Sequence, residues 1–386
     1  MRRQQQPQRQ PQQRPLPDRL LISYTTQCSP KVVQAVENGV NVVIWAFCEM
    51  IAVPHHENGT DESSNRRNKA QCISRFDRDC AKEMIANLDN AGFQDTVHLV
   101  SFGGWNGPHL PDELTAEDMY RAWKDHCGDI FHGIDWDLEG HDRLDSPTNI
   151  FSTRCLENMG RFSELAKQDG YIIGMAPPQS YLDIDTPHFS RKVNLIDNTR
   201  DWHEDFHYFG ANVYAYLLAK YGTYIDFVSI QFYESFSRAG MKVYHEHTTP
   251  ENYLYDYVYN LATEQSGYFF VDFEQDPTLQ YPSGKVKFPL SKLVLGFANG
   301  WAPAAGANFI DDTNDKVCYF DPIQIERAYK RLSNDNIPPR GFMYWVMDED
   351  GNKGIDFSKS LNHILDTRRV ENCDARDSNS HPQESS

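Results

Sequence analysis

Apolar residues recur along the chain in two rhythms, and the switches between them mark its elements. Short apolar runs predict strands at LLISY (the 21–24 region), NVVIWAF (41–47), TVHLVSF (96–102), FHGIDWDLE (131–139), YIIGMAP (171–177), YIDFVSIQFY (224–233), KLVLGFA (292–298) and GFMYWV (341–346). Stretches with helical periodicity fill several gaps: DCAKEMIANLDNAG, TAEDMYRAWKDHCGDI, NIFSTRCLENMGRFSELAKQDG, FGANVYAYLLAKYG and DPIQIERAYKRLSND. Strands interleaved with helices point to parallel βα units. Eight of them suit a (β/α)8 TIM barrel without a sizeable insertion domain, because eight is the number that closes it.

Polar segments at His55 to Gln71, Ser180 to Asp205 and Ser235 to Pro250 follow the second, fifth and sixth strands. They are expected as loops on the C-terminal face, where such barrels build their sites. The expected organisation is a Gln, Pro and Arg-rich disordered leader over 1–18, a barrel over 19–368 and a polar tail over 369–386. The leader has no apolar core of the kind a secretory signal carries.

The fourth strand changes the picture. Asp135, Asp137 and Glu139 alternate with Ile134, Trp136 and Leu138, so one strand face is apolar and the other acidic. A barrel strand is covered on both faces. The acids then point inward with no Lys or Arg in the motif to pair them, and burying them ionised is costly. Closely spaced carboxylates cannot all ionise, so one keeps a proton near neutral pH and is fit to act as a general acid. An exposed acidic face would need an edge strand, which a closed barrel lacks.

With its context, HGIDWDLE resembles the DGxDxDxE signature of family 18 glycoside hydrolases, the chitinase and endo-β-N-acetylglucosaminidase group. Ser101-Phe102-Gly103-Gly104 resembles the family's SxGG. Met175-Ala176-Pro177 and Gln231-Phe232-Tyr233 are similar to the plant and fungal class III chitinase branch, and Trp345 sits where the family keeps a tryptophan. The resemblance covers roughly 20–350. It implies a retaining, substrate-assisted hydrolase of β-1,4-linked N-acetylglucosamine polymers, an exception to the two-carboxylate scheme.

The resemblance assigns Glu139 as acid/base, Asp137 as partner of the substrate acetamide, Asp135 as sharer of its proton and Tyr233 as donor to the acetamide oxygen. Trp345, Gln231, Met175, Gly103, Gly104, Trp105 and Trp301 are the expected substrate-binding residues. It implies chitin or N-acetylglucosamine oligosaccharides as partners, an extracellular monomer, no cofactor and no metal. An enzyme cutting N-glycans and a non-catalytic chitin-binding lectin remain alternatives.

One residue departs from the pattern: His132 replaces the signature's first Asp. It is expected beneath the catalytic pair, on the face of Asp135, where a protonated imidazole would stabilise the ionised acids and stay charged to higher pH. The class III branch follows its tyrosine with Asn, whereas Glu234 adds another acid here.

Charge and remaining motifs narrow the alternatives. A formal net charge of -18 argues against nucleic acid or anionic membrane as partner. Trp202-His203-Glu204-Asp205-Phe206-His207 contains an HExxH pattern, which on a helix would suit a zinc protease. The longer zinc motif wants a third histidine where Val213 stands. His245-Glu246-His247 reads as a solvated loop, and Asn58-Gly59-Thr60 is a glycosylation sequon in a polar loop. Eight cysteines with no CxxC indicate neither a zinc knuckle nor a thioredoxin-like site.

Overall fold

A computed structural model of the protein describes residues 14–54, 68–141, 145–193, 210–234, 237–302 and 317–366. The barrel strands are β1 (Leu20–Thr25), β2 (Val42–Pro54), β4 (Val97–Gly104), β5 (Gly133–Leu138), β6 (Ile172–Met175), β7 (Phe227–Gln231), β10 (Leu293–Ala298) and β11 (Gly341–Trp345). Each pairs in parallel with its neighbours, and β1 pairs with both β2 and β11, so the sheet closes. Helices follow the strands in turn: α1 (Pro30–Glu37), α2 (Arg78–Asn90), α3 (Ala116–Cys127), α4 (Thr153–Gln168), α5 (Ala215–Tyr221), α6 (Pro250–Tyr259), α7 (Pro322–Asn334) and α8 over 357–366. The expected (β/α)8 barrel is the observed fold.

Three strands lie outside the eight. β3 (Asn68–Ser74) runs antiparallel to the long outer half of β2, and β8 (Tyr268–Val271) pairs with β9 (Gly284–Lys287) as a small hairpin between α6 and β10. Part of the polar segment before Gln71 is therefore strand. No helix among the described residues is long and apolar enough to cross a membrane. The described chain begins inside the expected leader. Arg14 grips both oxygens of Asp89 at 2.7 Å, and Leu16 packs against the inner core.

Local signals set the helix starts. Thr115 accepts from the Asp118 amide at 3.1 Å, Ser152 from the Cys155 amide at 2.8 Å, and Asp321 with Gln324 forms a reciprocal capping box before Pro322. Strand alternation sorts the core into two layers. Leu20, Ile22, Val42, Ile44, Val97, Leu99 and Phe227 fill the barrel, while Trp45, Phe102, Ile134, Trp136 and Leu138 pack beneath the helices.

Candidate active site

The parity of β5 decides the site. With Ile134, Trp136 and Leu138 in the outer layer, Asp135, Asp137 and Glu139 face the barrel interior at its C-terminal end, all three buried. Other barrel strands, the adjoining β4 among them, supply their partners. The Tyr24 hydroxyl on β1 donates to Asp135 Oδ2 at 2.7 Å, and the Ser101 hydroxyl on β4 donates to the same oxygen at 2.9 Å. Gln231 at the end of β7 uses one amide nitrogen to reach Asp137 Oδ1 at 2.8 Å, Glu139 Oε1 at 3.2 Å and the Ala176 carbonyl at 2.7 Å. No lysine or arginine takes part in these bonds.

Burial without a cation favours the protonated forms. Burial pushes the Asp135 carboxyl up to about 6, although Tyr24 and Ser101 pull it back. Asp137 is driven well above the usual carboxylate range, first by burial and then by the charges of Glu139 and Asp135. Burial raises Glu139 to about 7, with bonds from Gln231 and Asp137 opposing the rise. Each acid therefore keeps its proton to higher pH than an ordinary carboxyl, and Asp137 and Glu139 titrate as an interacting pair.

Trp345 closes one side of the cluster. Its ring stacks on Phe47 with centroids 5.7 Å apart and leans on Tyr24 at 5.3 Å. A register shift between Ala46 and Cys48 makes this possible: both Ala46 and Phe47 reach the inner layer, and Cys48 is turned to the outer one. Trp301 donates its indole N–H to the Trp345 carbonyl at 2.6 Å and meets Tyr233 edge-on at 6.2 Å. Glu234, beside Tyr233, accepts from the Ser180 amide at 2.6 Å, and burial lifts its carboxyl to about 8.

The expected site residues fall into three groups. Asp135, Asp137, Glu139, Gln231, Tyr233, Trp301 and Trp345 gather at one end of the barrel. Gly103 and Gly104 belong there as spacers. Both have positive φ, and a Cβ would lie 2.4 Å from the Asp137 carbonyl oxygen at Gly103 and 2.5 Å from the Phe47 ring at Gly104. Met175 does not join them, because its position on β6 puts it in the outer core under the helices. Trp105 stands 51% exposed and stacks on no described ring.

His132 corrects an expectation. Three positions separate it from Asp135, so it lies on the opposite face of the strand. Its Nδ1 accepts from the His98 amide at 2.9 Å, and the two rings sit 6.0 Å apart in the outer layer. Burial first, and then the Arg14 charge, lowers its pKa to about 3. It is neutral at working pH, rather than charged, and does not touch the acids. The HExxH pattern from His203 to His207 lies outside the described residues, as does Asn58. The expected loop at 245–247 begins on a helical turn over Met241–His245, and Glu246 pairs with Lys242 at 2.6 Å.

Tyr24, Ser101 and Phe47 are the contributors to which the sequence assigned no role. Each acts on a strand distant in sequence: Ser101 on the adjoining β5, Tyr24 on β5 from across the barrel and Phe47 on Trp345 of β11.

No family model matches the chain, and no curated protein matches it. Among solved structures, the chain resembles a GH18 chitinase from Pseudoalteromonas aurantia at 16% identity, with 89% of this chain and 99% of that chain covered and a TM-score of 0.47. It resembles the Ostrinia furnacalis group IV chitinase in complex with allosamidin at 13% identity, covering 90% and 99% with a TM-score of 0.47. The xylanase-α-amylase inhibitor protein XAIP-I, solved with trehalose, is similar at 12% identity, 90% and 98% coverage and a TM-score of 0.45.

Proposed function

We propose that the protein is a retaining glycoside hydrolase of the family 18 type, acting on β-1,4-linked N-acetylglucosamine. The observation that carries the reading is the inward row Asp135, Asp137 and Glu139, buried without a cation, in which burial brings Glu139 to about 7. A carboxyl that keeps its proton at neutral pH can deliver it to a leaving group.

In this mechanism Glu139 gives its proton to the glycosidic oxygen as the bond to the anomeric carbon breaks. The substrate's own acetamide oxygen attacks that carbon and forms a cyclic oxazolinium. Asp137 accepts a hydrogen bond from the acetamide N–H and balances the positive charge. Asp135, with Oδ1 unpartnered among the described residues, is the neighbour with which Asp137 exchanges its proton. Tyr233 donates to the acetamide oxygen, and the Trp345 ring forms the floor under the sugar. Ionised Glu139 then takes a proton from water, which opens the intermediate with retained configuration. A sugar without the acetamide has no nucleophile and should not react.

Glu139→Gln tests the reading. The amide is nearly isosteric but has no acidic proton, so turnover should fall by about a hundred- to ten-thousand-fold with sugar binding retained. Unchanged turnover would exclude the mechanism. Product analysis on chitin oligomers and on a high-mannose glycopeptide separates chitinase from N-glycan cleavage. Binding to chitin oligomers with no turnover of either substrate would instead make the barrel a lectin.

A further inference from the structure

Away from the acids, the outer layer holds a second set of chemically capable side chains. Cys48 on β2, Cys72 on β3 and Cys127 at the end of α3 are all buried, and their three sulfurs lie within 4.8 Å of one another. None belongs to the disulfide, which joins Cys28 to Cys80. Three separate elements converge here. The register shift after Ala46 turns Cys48 outward, the β2–β3 pairing sets Cys72 opposite Met50, and α3 ends against this hairpin at Cys127.

We propose that Cys48, Cys72 and Cys127 form a three-coordinate site for a soft d10 cation, with monovalent copper as the ion it suits best. Metal–sulfur bonds of about 2.3 Å around one ion put the sulfurs roughly 4 Å apart, so the observed cluster needs only a small contraction. Three sulfur donors and no oxygen or nitrogen donor select a thiophilic ion over calcium or magnesium. No fourth His, Cys, Asp or Glu joins the cluster among the described residues. A closed zinc site wants four ligands, which leaves trigonal coordination as the better match. Bringing anionic sulfur into this layer is eased by positive charge nearby: Arg78 donates to the His126 carbonyl at 2.8 Å, immediately before Cys127. Each thiol that becomes a ligand gives its proton to solvent, so uptake releases protons.

The test uses the full chain under nitrogen without added thiol. Cuprous ion is supplied as its acetonitrile complex against a chromogenic cuprous chelator, and retained copper is measured after desalting. The expected result is a single retained equivalent, raised thermal stability and protection of three thiols from alkylation on unfolding. Cys127→Ser and, separately, Cys72→Ser should return copper to background, while Cys155→Ser, which removes a buried thiol outside the cluster, should not. Equal retention in wild type and both cluster variants would overturn the site. So would no retention by wild type. Retention of zinc but not copper would overturn the three-coordinate assignment. Peptide mapping that finds two of the three cysteines joined in the isolated protein would replace the site with a disulfide. If the variants fold poorly, protection of the wild-type thiols by cuprous ion decides alone: its absence overturns the proposal.

Discussion

Gln231 shows how much one residue can do here. A single amide nitrogen donates to Asp137, Glu139 and the Ala176 carbonyl, so it holds two acids in one geometry and favours their ionised forms. Removing the donor must therefore raise both acids. In Gln231→Leu, Glu139 should keep its proton to higher pH, and the alkaline limb of the pH–rate profile should move up by about one unit, as expected from a lost charge-assisted hydrogen bond. The maximal rate should fall as well, because Asp137 loses its fixed orientation. Profiles of wild type and variant on one short chitin oligomer would check this; a downward shift would mean that Gln231 does not set Glu139. His132 makes a contrasting case. Already neutral and on the far face, it offers the acids no charge at any pH where the barrel works.

At the scale of elements, the close approach of β4 to β5 keeps the acidic row where it is. Gly103 adopts φ +107° beside the Asp137 backbone, where an added Cβ would lie 2.4 Å from the carbonyl oxygen. Gly103→Ala should push the two strands apart at their C-terminal ends. Strain at a position of this kind costs about 1–3 kcal/mol, which predicts a lower denaturation midpoint together with reduced turnover. Chemical denaturation and initial rates on the same preparation would test the pair; full activity at wild-type stability would show that the strand ends have room to spare. All eight barrel strands were legible because both their faces are buried and their apolar runs are dense. α1 was missed because its apolar positions span barely two turns, and α6 because the tyrosines of ENYLYDYVY lie on both faces, Tyr253 and Tyr257 buried and Tyr259 exposed, and leave no clear apolar stripe. β3, β8 and β9 were hidden by exposed side chains on one face. Within the site, the acids were legible from local alternation, whereas Tyr24, Phe47 and the cysteine trio depend on pairings between distant segments. His132 was expected on the wrong face, since one position along a strand reverses a side chain's direction, and Met175, expected in the site from the resemblance, lies in the outer core.

For the whole molecule, the question is how the floor of the barrel is sealed. The N-terminal run rich in Gln, Pro and Arg reads as a leader up to Asp18, yet its last residues are built into the fold. Arg14 pairs with Asp89 at 2.7 Å with only 10% of its side chain exposed, Arg340 donates to the Pro17 carbonyl at 3.0 Å, and Leu16 lies against the inner core. Leu16 leads directly into β1, the strand that closes the cylinder between β2 and β11. Fully burying a leucine is worth about 1.5–3 kcal/mol, so the partly buried Leu16 contributes about 1–2 kcal/mol, and an ion pair of this exposure adds up to about 1 kcal/mol. Removing residues 1–18 should therefore cost about 1–3 kcal/mol relative to removing residues 1–13, which leaves these contacts intact. The cost belongs to closure of the cylinder rather than to the acids at its other end, so stability should fall while the pH–rate profile keeps its shape. Urea midpoints for the two truncations, with rates measured well below either midpoint, would show it. Coincident midpoints would mean that the Arg14–Asp89 pair and Leu16 add nothing to the closed barrel.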